Sequence, residues 1–284
     1  MNVSKLDQYG LLQVSGEDAR TFLHAQLTND IENLAPGRAR YAGWCSAKGR
    51  LLATFLVVPA SGVIPSGVIT SGSFLLQLSL DLVPQVLKRL SMFVLRAKVK
   101  ITDATGLWSQ YGRWGPGDGE LLSVRESDGE IVIRVESDRA LILSSSGHTP
   151  NVPASDWALA EIRAGRPFIQ QLTQDQFVPQ MVNLELSGGV DFKKGCYPGQ
   201  EIVARAQYRG AVKRRMVHLR GGALQPGQEL YGDEANGQPI GSVVNAAGGE
   251  SLAVLQVSVI EANSPVRAQP QAAALEVLPL PYSR

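Results

Sequence analysis

At 284 residues, with 44% hydrophobic and 19% charged content, the chain has ordinary globular composition and can divide a sizeable core among two or three domains. Twenty-seven basic residues against 26 acidic ones leave a formal charge of +1, which excludes the global basic footprint of a nucleic-acid binder. The start MNVSKLDQYG lacks the apolar core of a secretory signal, and the apolar run after Leu51 meets Pro59 and Pro65 too soon to span a bilayer. Cys45 and Cys196 give no disulfide framework and fit a reducing cytoplasm. With His24, His148 and His218 they show no metal spacing, so no metal site is expected.

In chain order, Leu11 and Val14 mark a short first strand. Ser15 then reads as the N-cap of a helix with Glu17 and Asp18 in its first turn, and Ala19, Phe22, Leu23 and Leu27 on its core face. His24 shares another face with Arg20 and reads as a solvated helix residue. Tyr41–Cys45 and Leu51–Val58 read as strands joined by a Lys48-Gly49 turn. Gly62, Pro65, Gly67 and Gly72 punctuate a hairpin-like region before the strand Phe74–Leu78. Asp81 then reads as the cap of a helix carrying Leu82, Val83, Val86, Leu87 and Leu90, with Pro84 tolerated in the first turn. Ala97–Ile101 reads as a strand, and the segment 108–120 as an uninterpreted loop. Leu121–Val124, Ile131–Val135 and Ala140–Leu143 read as strands, and Ser144–Pro153 as a linker. The turns favour an α+β arrangement with antiparallel pairs over a doubly wound sheet.

Beyond the linker, Ser155 is the candidate cap of a helix over Asp156–Ala164 that stops at Gly165. Ala158, Leu159 and Ile162 form its aliphatic face. Trp157 points nearly the opposite way, so it needs its own partner, either a second packed element or a flat ligand. Further on comes the stretch DFKKGCYPGQEIVARAQYRG. Pro198-Gly199 is turn chemistry, and from Gln200 the pattern is helical, with Ile202, Val203 and Ala206 on one face and Glu201, Arg205 and Arg209 on another. Cys196 therefore lies in a glycine-flanked loop before a helix start, beside Lys193 and Lys194. It is either a small buried hydrophobe or a thiol whose thiolate is favoured by the helix end and the cations. A phosphate loop is ruled out, because the glycine spacing and the Lys-Ser/Thr ending are missing. After Gly210, Val217 and Leu219 alternate with His218 and Arg220, placing His218 on a polar strand face. Pro226-Gly227, Asn236-Gly237 and Gly248-Gly249 mark turns of a small antiparallel barrel or sandwich.

The loop KGCYPGQE, its continuation EIVARAQYRG and the N-terminal SGEDARTFLHAQLTNDI resemble the YgfZ family of bacterial folate-binding, tRNA-modification-linked proteins, which is related to the glycine-cleavage T-protein (aminomethyltransferase). NLELSGGVDFKKGCYPGQE, PIGSVVN and the terminal LPLPYS extend the resemblance over nearly the whole chain. It implies two ferredoxin-like α+β units and a C-terminal antiparallel β-barrel around a central opening. The expected division is 1–45 with 150–210 as the first unit, 46–149 as the second and 211–284 as the barrel. It also implies binding of tetrahydrofolate or a one-carbon derivative, and an accessory role in making or repairing iron-sulfur enzymes such as a tRNA methylthiolase.

By the same resemblance Trp157 and Tyr9 belong near the folate, Tyr9 standing where the family often has tryptophan. Cys196 matches the motif cysteine and the expected reactive thiol. Lys194, Tyr197, Gln200, Glu201 and Arg205 match its surroundings and are expected to bind folate. The T-protein carries an Asn-Ala-x-Asn-x-x-Lys-Asp pattern whose aspartate serves aminomethyl transfer. The corresponding stretch here is Gln77–Pro84, with Asp81 read as a cap, so one-carbon transfer is the alternative function. Eight basic residues and one acid lie between Lys193 and Arg220, yet direct tRNA contact is not expected, and no membrane association is.

Overall fold

A computed structural model of the chain describes residues 1–60, 63–64, 67–68, 72–127, 129–210, 212–233 and 237–282. Gly62, Pro65, Asn236 and Ser283, which figure in the turn and motif readings above, lie outside the described residues. In chain order the strands and helices are β1 (Val3–Lys5), β2 (Tyr9–Ser15), α1 (Ala19–Gln26), β3 (Arg40–Cys45), β4 (Leu51–Ala60), β5 (Val63–Ile64), β6 (Gly67–Val68) and β7 (Ser73–Ser79). They continue with α2 (Val83–Ser91), β8 (Lys100–Asp103), β9 (Ser109–Trp114), β10 (Val124–Ser127), β11 (Glu130–Glu136), β12 (Arg139–Ser144), α3 (Ala154–Arg163) and α4 (Gln200–Tyr208). The last part holds β13 (Arg214–Arg220), β14 (Glu229–Gly232), β15 (Pro239–Ala247), β16 (Glu250–Gln256), α5 (Val257–Glu261), β17 (Val266–Arg267) and β18 (Ala274–Leu278).

The strands form two five-stranded sheets, a two-stranded ribbon (β5-β6) and a closed barrel, all with antiparallel pairs, which is the α+β architecture with a C-terminal barrel. The first sheet runs β3-β4-β7-β2-β8. With α1 and α2 its chain order gives the split β-α-β ferredoxin-like arrangement, β3 being an added edge strand. The second sheet runs β1-β9-β12-β11-β10, so the N-terminal strand leaves the first sheet and pairs with β9. The expected boundary at 45/46 falls inside the first sheet, because β3 pairs with β4; strand pairing instead separates the sheets between residues 103 and 109.

Alternation along the first sheet explains its continuous apolar runs. Leu12, Val57 and Leu76 face α1 and α2, while Leu11, Leu56, Val58 and Leu75 face the second sheet, where they meet Ile131, Ile133, Leu141 and Leu143. A strand covered on both faces is apolar at every position, so its period is hidden. In the barrel, Val217, Leu219, Ala253 and Leu255 point inward, and Met216, Leu252 and Val254 join the main core.

Several local expectations change. Ser15 closes β2 and does not cap α1. Asp18 occupies the cap position, and its carboxylate accepts from the Lys98 amide at 2.7 Å. Asp81 lies in a 3-10 turn ahead of α2, whose cap position is Leu82, and accepts from the Gln171 amide at 3.0 Å. Pro153 takes the cap position of α3 in place of Ser155. The segment 108–120 contains β9, the strand second from the edge. On α4 only Val203 is buried, and Ile202 is 43% exposed. His24 is not free in solvent: its Nδ1 accepts from the Glu32 amide at 3.1 Å. His218 is 5% exposed, and its Nε2 is 2.8 Å from the Glu250 carboxylate.

Candidate functional site

A cavity lies between the two sheets and is closed by α3 and the segment after it. Its cavity volume is about 50 Å³, a narrow space. The first sheet contributes Tyr9, Tyr41, Phe55 and Gln77, the second Val135 and Leu141, and α3 contributes Trp157 and Glu161. Trp157 and Glu161 are four residues apart, one turn of helix, so they reach the same space. Gly165 then turns the chain at φ +65°, and Arg166, Pro167 and Phe168 complete the lining.

The aromatic walls are fixed by packing. Tyr9 meets Phe168 with ring centroids 4.7 Å apart. Trp157 is 3% exposed and stands edge-on to Trp114, with the Arg139 guanidinium 5.2 Å from its centroid. The strand beneath it must be bare: a Cβ on Gly112 would lie 2.0 Å from Trp157 Cε3. The packed-element alternative for Trp157 therefore holds, and the ring also lines the cavity.

The polar part centres on Glu161. Its carboxylate accepts from Arg139 Nη1 at 2.8 Å and from Arg166 Nη1 at 2.9 and 3.1 Å. Arg166 also donates to the Val135 carbonyl at 2.8 Å and pairs with Glu136. Burial pulls the Arg166 pKa down, but Glu161, Tyr41 and Glu136 more than offset this and leave it raised. Tyr41, 5.4 Å beneath that guanidinium, is pushed up to about 12 by burial against the opposing pull of Arg166. Burial likewise raises Tyr9, so both phenols keep their protons. Gln77 donates to Gln110 at 2.8 Å, and Gln110 donates to the Tyr9 carbonyl at 3.0 Å, which fixes the backbone at the cavity floor. The arrangement is a narrow aromatic slot ending in an anchored carboxylate. It suits a flat heteroaromatic ring that presents N–H donors.

The barrel holds the closing segment from behind. Asn245 exchanges two hydrogen bonds with the Phe168 backbone, at 2.9 and 2.7 Å, and Tyr282 donates to the Gly165 carbonyl at 2.7 Å. Arg163 reaches Glu250 at 2.8 Å.

Of the residues singled out in the sequence, Tyr9 and Trp157 line this cavity; Lys194, Tyr197, Gln200, Glu201, Arg205 and Cys196 do not. They gather in a second place, between the end of α1 and the start of α4. Lys194 is buried there and donates to the His24 and Leu27 carbonyls, the second at 3.0 Å, which satisfies the free carbonyl end of α1. Its ammonium is 4.8 Å from the Tyr197 ring centroid, and burial lowers its pKa to about 8 against the opposing pull of Asp30 and Asp191. Tyr197 is anchored in the main core, Gln200 opens α4, and Glu201 and Arg205 are exposed. Cys196 is exposed, while Cys45 is buried and pushed up to about 12 by burial and by Asp175. Gly199 explains the tightness of this loop. It has φ +77°, and a Cβ there would lie 2.3 Å from the Ser46 carbonyl oxygen.

Glu161, Arg166, Phe168 and Tyr41 are functional candidates that the sequence reading passed over. A signal was present for Glu161, one turn beyond Trp157 in SDWALAEIRAG.

No family model matches the chain. It is 31% identical to an uncharacterized protein of Haemophilus influenzae, over 98% of this chain and 97% of that one. It is 29% identical to proteins named tRNA-modifying protein YgfZ from Edwardsiella ictaluri and from Klebsiella pneumoniae, over 100% of this chain and 93% of each of theirs. Among solved structures, the glycine cleavage system aminomethyltransferase T of Bartonella henselae superposes with a TM-score of 0.69 over 99% of this chain and 85% of that one, at 16% identity. That likeness is one of fold. The end-to-end sequence match to relatives, on a fold shared with aminomethyltransferase T, establishes that this chain belongs to the YgfZ family.

Proposed function

We propose that the inter-sheet cavity binds a reduced folate, tetrahydrofolate or a one-carbon derivative of it, and that the chain is a folate-binding accessory protein linked to tRNA modification. The observation that carries this reading is the pairing of Tyr9, Tyr41, Trp157 and Phe168 with the anchored Glu161 carboxylate. A pterin is a flat ring whose amino group and neighbouring ring N–H donate on one edge. The aromatic walls would stack it, and Glu161 would accept from that edge, oriented by Arg139 and Arg166. A Kd of about 1 μM requires only about 8 kcal/mol, within reach of one stacked and partly buried ring with a charge-assisted hydrogen bond. The names of the relatives support the tRNA link.

Within this proposal, Cys196 does thiol chemistry or contacts iron-sulfur client enzymes such as a tRNA methylthiolase, and the protein supports their maturation or repair. Its exposure on a loop braced by Lys194 and Gly199 is what such a role requires. Lys194, Tyr197, Gln200, Glu201 and Arg205 then serve folate only where a tail extends out of the cavity toward that loop. One-carbon transfer is the alternative. The fold shared with aminomethyltransferase T favours it; against it, Asp81 is outside the cavity lining and is bonded to the Gln171 amide.

The test is the Cys196→Ser variant. It is expected to lower client tRNA thiomethylation in a deletion strain while leaving folate affinity nearly unchanged, because serine loses thiolate nucleophilicity and soft-metal affinity but keeps the size. Robust one-carbon turnover by the purified protein, with Cys196→Ser silent, would promote the alternative.

A further inference from the structure

A second pocket lies on the other face of the second sheet, away from the cavity. Register places three arginines together there. Arg113 on β9 pairs across Ala140 with Arg134 on β11, and Arg125 on β10 stands opposite Val132, two residues from Arg134 on the same face. Ala140 is small, so the row between Arg113 and Arg134 is sunken. The loop after β9, with Gly115, Pro116 and Gly117, closes one side of the pocket, and Asp118 adds a single acid to the lining.

Arg134 is 8% exposed. A buried arginine is normally matched by a carboxylate. Among the described residues no carboxylate comes within ion-pair distance of Arg113, Arg125 or Arg134; the nearby arginines that do pair with carboxylates are Arg38, Arg139 and Arg166. The hydrogen bond Arg134 makes is from Nη1 to the Gly115 carbonyl at 3.3 Å, which leaves most of its five donors for the pocket. Gly117 is bare for a reason: a Cβ there would lie 1.4 Å from Arg134 Nη2.

We infer that this pocket is an oxyanion site for a phosphate group, with the Arg134 guanidinium as its floor and Arg113 and Arg125 as its sides. Three guanidinium forks around one concave space match the three or four oxygens of a phosphate better than the two of a carboxylate. The phosphate comes either from a small polyphosphate or from the backbone of an RNA strand, since both present the same oxygens.

The measurement is calorimetric titration of the full chain with inorganic pyrophosphate and, separately, with a short single-stranded RNA, at fixed ionic strength in chloride. The variants are Arg113→Gln with Arg125→Gln, which are surface changes, and Gly117→Ala, which displaces Arg134 without removing it. At least one probe is expected to bind the unaltered chain. The paired glutamines should weaken it by about a hundredfold, about tenfold for each charge-assisted hydrogen bond lost, and Gly117→Ala should weaken it as well. Tetrahydrofolate affinity should stay the same in every variant. Pyrophosphate binding alone identifies a free phosphate, and RNA binding sensitive to both variants identifies a phosphodiester. The inference is overturned if neither probe binds, or if binding survives both variants.

Discussion

Trp157 illustrates how one side chain serves packing and site together. Its ring fills the space above Gly112, so Gly112→Ala must push it aside, and overpacking of this kind costs about 1–3 kcal/mol. A lowered thermal midpoint with altered tryptophan fluorescence is the expected signature. Trp157→Ala removes a buried indole and is expected to cost about 3–5 kcal/mol, so loss of ligand binding in that variant would report instability as much as recognition. The two cysteines give a cleaner residue-level contrast. Brief iodoacetamide exposure followed by mass spectrometry should label the exposed Cys196 and spare Cys45, whose thiol is buried and pushed up to about 12. In denaturant the two should label alike; preferential labelling of Cys45 in the folded chain would contradict the assignment.

At the level of elements, α3 is the hinge between sheet, cavity and barrel, and its barrel contact carries a pH dependence. Arg163 lowers Glu250 to about 2, against the cost of burial and with His218 adding to the shift. A carboxylate whose folded pKa is depressed contributes its full stability above its unfolded value of about 4.3 and loses it as pH falls toward 2. Thermal midpoints should therefore fall over that window, and Glu250→Gln should flatten this part of the profile.

The elements also differ in how readable they were. The core face of α1 (Ala19, Phe22, Leu23, Leu27) and the Pro198-Gly199 turn followed from local spacing, because helix period and positive φ are written in neighbouring residues. β9 was not, because Ser109-Gln-Tyr-Gly-Arg-Trp looks like a loop until Trp157 is known to rest on its glycine. The caps differ for separate reasons: the Gln171 amide claims the Asp81 carboxylate, which spacing cannot reveal, while Ser15 ends β2 and Pro153 takes the cap position ahead of Ser155. His218 was assigned to a polar face that the fold covers.

For the molecule as a whole, the first sheet is covered on both faces, and the candidate site arises where its second face meets another sheet incompletely. Tyr9 and Trp157, separated by most of the chain, meet there, and Glu161 joins them one helical turn on. The central claim is that this space takes a reduced folate through its aromatic walls and Glu161. The most direct measurement is titration with tetrahydrofolate under anaerobic conditions, followed by tryptophan fluorescence and heat, for the unaltered chain and for Glu161→Gln, with thermal melts confirming that both are folded. The account predicts a Kd of about 1 μM for the unaltered chain and a loss of about tenfold or more in the variant. No response at millimolar tetrahydrofolate, or equal affinity in a folded Glu161→Gln protein, would contradict it.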